Sequence, residues 1–272
     1  MKYDSVKKSL GSFFNRSAFL RKIFYRLLDL LLLRAWHIHK ELRLTPNPSP
    51  KERGTPFTIL DAGAGFGQYS FWMQRHFKNC TIHAVDVKEE QVADCNSFFR
   101  RIGADNVRFE VADLTAFKKE NNFDLVLCVD VMEHIEQDVL VLKNFCASLK
   151  PGGTLLISTP SDKGGSDVHD GSSESFIEEH VRNGYNVGEM RNKLKEAGFS
   201  SSEIKYSYGV PGEISWKFSM KYPILLAGVS KIFLLILPFY YLVVYPFAFI
   251  LNYADVRIHH KEGTGLIVKA WK

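Results

Sequence analysis

Between residues 55 and 209 the chain alternates short apolar runs with segments of helical period. Phe57 to Leu60, Cys80 to Val85, Val107 to Val111, Phe123 to Val129 and Thr154 to Ser158 read as strands, rich in β-branched and large apolar residues. Gln68 to Phe77, Lys88 to Arg101 and Gln137 to Leu149 read as helices. Leu125-Val-Leu-Cys-Val129 is apolar at every position, so both of its faces must be covered. Strands alternating with helices imply crossover connections, so the pattern predicts an α/β fold with a doubly wound, mostly parallel sheet. Glu203 to Tyr208 and Leu266 to Ala270 read as two more strands.

Two regions break this rhythm. Ala18 to Leu42 has helical periodicity, with Leu20, Ile23, Phe24, Leu27 and Leu31 on one face. It is followed by Thr45-Pro-Asn-Pro-Ser-Pro50, a breaker-rich linker. The other region, 212–258, is apolar and aromatic, and Ile232 to Ala254 holds 23 residues without a charge. Its length would suit a bilayer crossing. Yet in the fold that the motifs below resemble, the strands on either side of it pair antiparallel in one sheet, so the segment is expected to return to the side it left. The pattern therefore predicts a helical insertion bent at Pro238. The expected organisation is a basic helical arm (1–53), a core (54–211), the apolar insertion (212–258) and a last core strand (259–272).

Charge sharpens the picture. The 272 residues carry a net charge of +5, but residues 1–53 hold twelve Lys and Arg against four Asp and Glu, a net +8, which leaves the body at −3. An acidic body argues against a nucleic-acid groove, and no nucleic-acid partner is expected. Arg21, Lys22, Arg26 and Arg34 make the arm a basic amphipathic helix of the kind that rests on an anionic membrane surface. Cys80, Cys95, Cys128 and Cys146 show no paired spacing, which points to a reducing compartment.

The candidate chemistry lies at the carboxyl ends of the strands, where such sheets bind ligands. The first strand runs into Asp61-Ala-Gly63-Ala-Gly65-Phe-Gly67 and then a helix. These glycines let backbone approach a ligand, and the helix N-terminus favours an anionic group. Gln68 stands where a dinucleotide fingerprint needs its third glycine. Asp86 ends the second strand, 23 residues after Gly63, where a carboxylate can accept from ribose hydroxyls. It also suits a helix cap. Asp113 ends the third strand.

Leu60 to Gly67, Ala84-Val-Asp86, Ala112-Asp113-Leu114, Phe123 to Ile135 and Leu149-Lys-Pro-Gly-Gly-Thr-Leu155, in this order, resemble the class I S-adenosylmethionine-dependent methyltransferases of the small-molecule and ubiquinone-biosynthesis type. The resemblance covers about 55–209 plus the last strand, and implies a Rossmann-like sheet with S-adenosylmethionine as cofactor. It assigns Asp61, Gly63, Gly65 and Gly67 to the methionine part, Asp86 to the ribose, Val87 to the adenine face, Asp113 and Leu114 to the adenine edge, and Asp130 to the sulfonium region. Asp130-x-x-Glu133-His134 is similar to the E-x-x-E-H signature of metal-dependent relatives, but its first position is Asp. Glu133 and His134 are expected to cap the next helix and shape the pocket rather than to bind a divalent metal.

Methyl transfer to a phenol, quinol or carboxylic acid needs alignment and a proton acceptor. The polar loop 161–185 supplies candidates: His169, His180 and Tyr185, the last in a lid, Val181 to Tyr185. The expected enzyme methylates a small apolar or lipid-like acceptor, and is cytoplasmic and peripheral on the inner face of a membrane. A soluble enzyme using the apolar segment as a pocket or homodimer interface is one alternative. A non-catalytic S-adenosylmethionine-binding protein is the other.

Overall fold

A computed structural model describes residues 17–45, 56–164, 181–229 and 233–272. Seven strands form one sheet: β1 (Phe57–Ala62), β2 (Cys80–Asp86), β3 (Val107–Val111), β4 (Phe123–Val129), β5 (Leu149–Pro160), β6 (Ser201–Ser207) and β7 (Gly265–Trp271). Their order is β3-β2-β1-β4-β5-β7-β6. β1 pairs parallel with β2 and β4, while β7 runs antiparallel between β5 and β6. The expected architecture is present, and β3 and β4 occupy their predicted spans.

Alternate side chains of the strands enter two separate cores, as the period of two dictates. Ile59, Leu125 and Leu127 face one core, and Leu60, Val126 and Cys128 face the other. The first core is closed by α3 (Gln68–His76) and α4 (Glu89–Arg101), the second by α5 (Asp138–Ser148) and α6 (Val187–Glu196). All four cysteines are free and buried.

The arm is part of the first core. It forms two helices, α1 (Ala18–Leu31) and α2 (Leu33–Leu44), not the single helix its periodicity predicts. Leu32 adopts extended backbone (φ −88°, ψ 110°) and separates them. The break lets two faces meet different surfaces: Arg21 and Tyr25 on α1, Ala35, Ile38 and Leu42 on α2, all fully or almost fully buried. The membrane-facing expectation for Arg21 is thereby corrected. Its guanidinium is inside, donating to the Tyr25 hydroxyl (2.8 Å) and to the carbonyls of Phe66 (3.0 Å) and Asp94 (3.3 Å). Leu27, on the apolar face, is 40% exposed.

The insertion is a helical hairpin. The chain leaves along α7 (Val210–Trp216), a π-helical turn (Lys217–Lys221) and α8 (Tyr222–Val229), and returns along α9 (Phe233–Arg257). The bend expected at Pro238 is absent, because α9 runs on through both Pro238 and Pro246. Tyr240 and Tyr241 tie the legs together by donating to the carbonyls of Phe218 (2.7 Å) and Ser219 (2.6 Å). Buried Asp255 closes the root. It accepts from the backbone N–H of Gly212 (3.0 Å) and Tyr208 (3.2 Å), and lies 2.9 Å from His37 of α2 and 3.1 Å from His260.

Two measurements test this packing. Asp255→Ala strands these partners and is expected to cost about 3 kcal/mol in denaturant unfolding. The second concerns His39, stacked on Trp72 (4.3 Å between centroids). Burial, with the charges of Arg43 and His76, pushes its pKa down to about 3, so its 3.5 Å approach to Asp29 is not an ion pair at neutral pH. The unfolded chain takes up this proton near pH 6.5 and the folded one does not, so His39 removes stability as pH falls from there toward 3. Thermal melts of His39→Phe should lose less stability than wild type between pH 6.5 and 4.

Candidate active site

β1 ends in a turn where Gly63, Gly65 and Gly67 all have left-handed backbone (φ 76°, 52° and 75°). They do different things. A Cβ on Gly63 would stand 2.3 Å from a methyl of Val131, and one on Gly67 2.9 Å from the Phe109 ring. These two glycines let the loop press onto the turn after β4 and onto β3 and α4. A Cβ on Gly65 would meet nothing within 4 Å. Gly65 faces open space, as a surface over which a ligand lies requires.

Asp86 is both cap and loop anchor. One oxygen accepts from the Lys88 N–H (2.9 Å) at the start of α4, and the other from the Gly65 N–H (2.8 Å). A carboxylate has about four acceptor positions, so hydroxyls can still be received. Val87 (63% exposed) and Val111 (46% exposed) stand beside it at the strand ends. Leu114 is buried, and Asp113 caps its own turn by accepting from the Thr115 N–H (2.8 Å). Asp61 is buried beneath the loop, and the Ser70 hydroxyl donates to it (2.6 Å). Burial raises its pKa to about 6, against the opposing bond from Ser70.

Asp130 follows β4 in left-handed backbone (φ 51°), its N–H donating to the Ser158 carbonyl (2.9 Å). Because β4 adjoins β1 and Val131 touches Gly63, this carboxylate stands next to the glycine loop. Arg34 of α2 forms an ion pair with it. Around this pair lie Tyr69 and Tyr208, both with pKa values raised to about 12 by burial and held back by the Arg34 charge. The Tyr208 hydroxyl also accepts from the Arg34 backbone N–H (3.0 Å).

The arm thus roofs the loop. Tyr25 donates to the Phe66 carbonyl, Arg21 to the same oxygen, and Gln68 to Asp29 (2.7 Å). In the sequence Arg34 belongs to the arm expected to face a membrane, and Tyr69 and Tyr208 carry no site role. Arg34 stands alone between Leu33 and Ala35, and this position by itself does not separate it from a solvated arginine.

The expected catalytic groups are placed unevenly. His169 and His180 lie outside the described residues. Tyr185 is fully buried, its hydroxyl within reach of the Met132 carbonyl (3.0 Å) and of Asp138 (2.9 Å), which Arg182 and Lys193 also bind. These bonds fasten the 181–185 turn to Met132 and Asp138. Glu133 is buried in a 3₁₀ turn (Met132–His134), receives the Thr159 hydroxyl (3.1 Å), and has its pKa raised by burial. Among the described residues no three of His, Cys, Asp and Glu come together as a metal site.

The methyltransferase-domain family matches residues 56–205. Phosphoethanolamine N-methyltransferase 1 of Triticum aestivum is 32% identical over 146 residues, 52% of this chain and 28% of the relative. A ubiquinone biosynthesis O-methyltransferase of Xanthomonas campestris is 33% identical over 103 residues, 37% of this chain and 42% of the relative. The matched stretches therefore span well under two thirds of these relatives. Among solved structures, phosphoethanolamine N-methyltransferase 2 of Haemonchus contortus, in complex with S-adenosyl-L-methionine, aligns with a TM-score of 0.60 at 22% identity. That alignment covers 87% of this chain and 52% of the other. The methyltransferase bound to the Trm112 activator of Haloferax volcanii aligns with a TM-score of 0.59 at 15% identity, over 95% and 96% of the two chains. Both share the fold.

The loop geometry gives a direct test. Gly63→Ala combines an unfavourable backbone conformation, costing about 1–2 kcal/mol, with overlap onto Val131. Chemical denaturation should show a loss above 2 kcal/mol, and Gly63→Ala/Val131→Ala should recover the overlap but not the backbone cost.

Proposed function

The chain belongs to the class I S-adenosylmethionine-dependent methyltransferases, and on that premise we propose that it methylates a small apolar or lipid-like acceptor at a membrane surface. The donor fits the residues present. Gly65 leaves open backbone, Asp86 has acceptor capacity for ribose hydroxyls, and the exposed Val87 and Val111 offer apolar contact to a base. Asp113 and Leu114 stand at the next strand end for its edge. When bound, the donor supplies an electrophilic methyl group. The chain's own work is to bind, align and exclude water, which is where much of the rate of such a displacement arises.

One observation carries the acceptor class. The hairpin is rooted at the carboxyl edge of the sheet, the same edge that holds the glycine loop and Asp130. Ser207 at the end of β6 and Pro160 at the end of β5 both face Gly265 at the start of β7. Along α9 an apolar stripe runs the length of the helix through Leu235 (74% exposed), Phe239 (72%), Leu242 (76%) and Phe247 (67%) to Ile250 and Tyr253. Leu235–Arg257 is long and apolar enough to cross a bilayer, and only 11% of its most apolar stretch is buried. Water would leave this surface uncovered at a large cost, since each Å² of apolar area is worth about 25 cal/mol. A lipid surface covers it and brings the open edge of the site to where apolar acceptors reside. The four free, buried cysteines support a membrane face in a reducing compartment. The oxygen of a phenol, quinol or carboxylic acid is the favoured acceptor atom, in keeping with the Xanthomonas relative. The wheat relative makes a nitrogen acceptor the comparison to run.

Three results are expected. Calorimetry with Asp86→Ala should lose S-adenosylmethionine binding, and unchanged affinity would remove Asp86 from the site. In flotation with anionic vesicles the full chain should rise with lipid. Leu242→Glu/Phe247→Glu should stay below while still binding the donor, since both side chains are exposed. Radiolabelled methyl from the donor should enter a lipid extract of source cells in preference to an aqueous one. A chain that stays in the aqueous phase as a dimer and labels water-soluble acceptors would overturn the membrane reading.

A further inference from the structure

The arm puts a fixed positive charge where a cationic donor would need its own counter-ion. We propose that Arg34 and the donor's sulfonium are alternative counter-ions of Asp130: Arg34 holds the carboxylate in the free enzyme, yields it when the donor binds, and takes it back once transfer has made the sulfur neutral. This rests on the methyl-donor reading above.

Placement comes first. Asp130 is fixed by its left-handed backbone, its N–H bond to Ser158 and the contact of Val131 with Gly63. Asp86 lies at the end of β2, on the far side of β1 from β4. A ligand whose sugar meets Asp86 and whose amino-acid end follows the 63–67 loop carries its middle, sulfur-bearing part toward the boundary of β1 and β4. Asp130 is the carboxylate there that Arg34 engages.

Freedom to exchange comes next. The pair is neither sealed nor fully exposed, with side chains 36% (Arg34) and 32% (Asp130) exposed. The guanidinium can therefore leave Asp130 without crossing packed core, while its backbone N–H stays on the Tyr208 hydroxyl. Two cations on one carboxylate repel, and the more so where water is scarce. Glu133, a second carboxylate that feels the Arg34 charge, is buried and receives the Thr159 hydroxyl.

The reaction then acts on this pair through charge alone. A lone pair of the acceptor bonds the methyl carbon, the carbon–sulfur electron pair stays on sulfur, and an O–H or N–H acceptor sheds its proton to water. The spent donor keeps nearly the shape of the fresh one but has lost one positive charge. Asp130 then has no ligand cation to hold, Arg34 returns, and product is favoured to leave. The arm, already a wall of the first core, gains a part in distinguishing donor from product.

The test is calorimetric and uses the full chain. Wild type, Arg34→Gln, Arg34→Lys and Asp130→Asn are each titrated with S-adenosylmethionine and with S-adenosylhomocysteine. Asparagine tolerates the left-handed backbone at 130, so that variant keeps the turn. In Arg34→Gln the ratio of donor to product affinity should rise about tenfold over wild type, equivalent to about 1.4 kcal/mol. Arg34→Lys should restore a ratio near that of wild type, and Asp130→Asn should bind the two ligands almost equally. A purely structural part for Arg34 changes both affinities by the same factor. A ratio that does not move in any variant overturns the counter-ion assignment while leaving the methyl-donor reading in place. A wild-type chain that binds neither nucleoside overturns both.

Discussion

The pairing of Ser207 and Pro160 with Gly265 across β6, β7 and β5 constrains everything built around this sheet. The 57 residues between Ser207 and Gly265 must leave and re-enter at one edge, whatever their composition. A segment apolar enough to span a bilayer is thereby held to a hairpin. The same geometry sets its root beside the glycine loop instead of at the far edge, where Lys150 and Asp124 form an ordinary ion pair (2.9 Å). Position in the topology, more than any side chain, makes the apolar surface relevant to the site.

The second organising element is α2. Within one turn it sends Arg34 to Asp130, Trp36 edge-on to Phe249 of the hairpin (5.0 Å between centroids), and His37 to Asp255 at the hairpin root. Site, arm and hairpin therefore share one short helix. A buried arginine such as Arg21 is tolerated because its donors are matched by carbonyls and a hydroxyl, and an unmatched one would be costly. The basic residues of the arm thus divide between anchoring it inward and charging its outer face.

Most of the sheet was legible in the sequence because its strands are apolar at nearly every position, a pattern that burial on both faces imposes. The glycine loop and Asp86 were legible because positive φ and a strand-terminal carboxylate restrict residue type. What escaped depends on distant partners. Arg34 finds Asp130 96 residues away, and nothing local distinguishes it from a solvated arginine. Tyr185 lies in a glycine- and serine-rich stretch typical of sites, but Asp138, 47 residues upstream, draws it into the interior. α6 buries only Met190 and Leu194, too little apolar pattern to announce a helix. Pro238 was read as a bend because proline removes one helical hydrogen bond, yet the helix continues through it.

The break at Leu32 bears on how the protein folds. Tyr25, Ala35, Ile38 and Leu42 lie in the same core as α3 and α4, so the stretch 56–205 that defines the family is not a self-sufficient folding unit here. It lacks one wall of its core and the strand β7 that joins β5 to β6. Cooperativity in this chain therefore links α1, α2, the 56–205 stretch and β7, which share one core and one sheet.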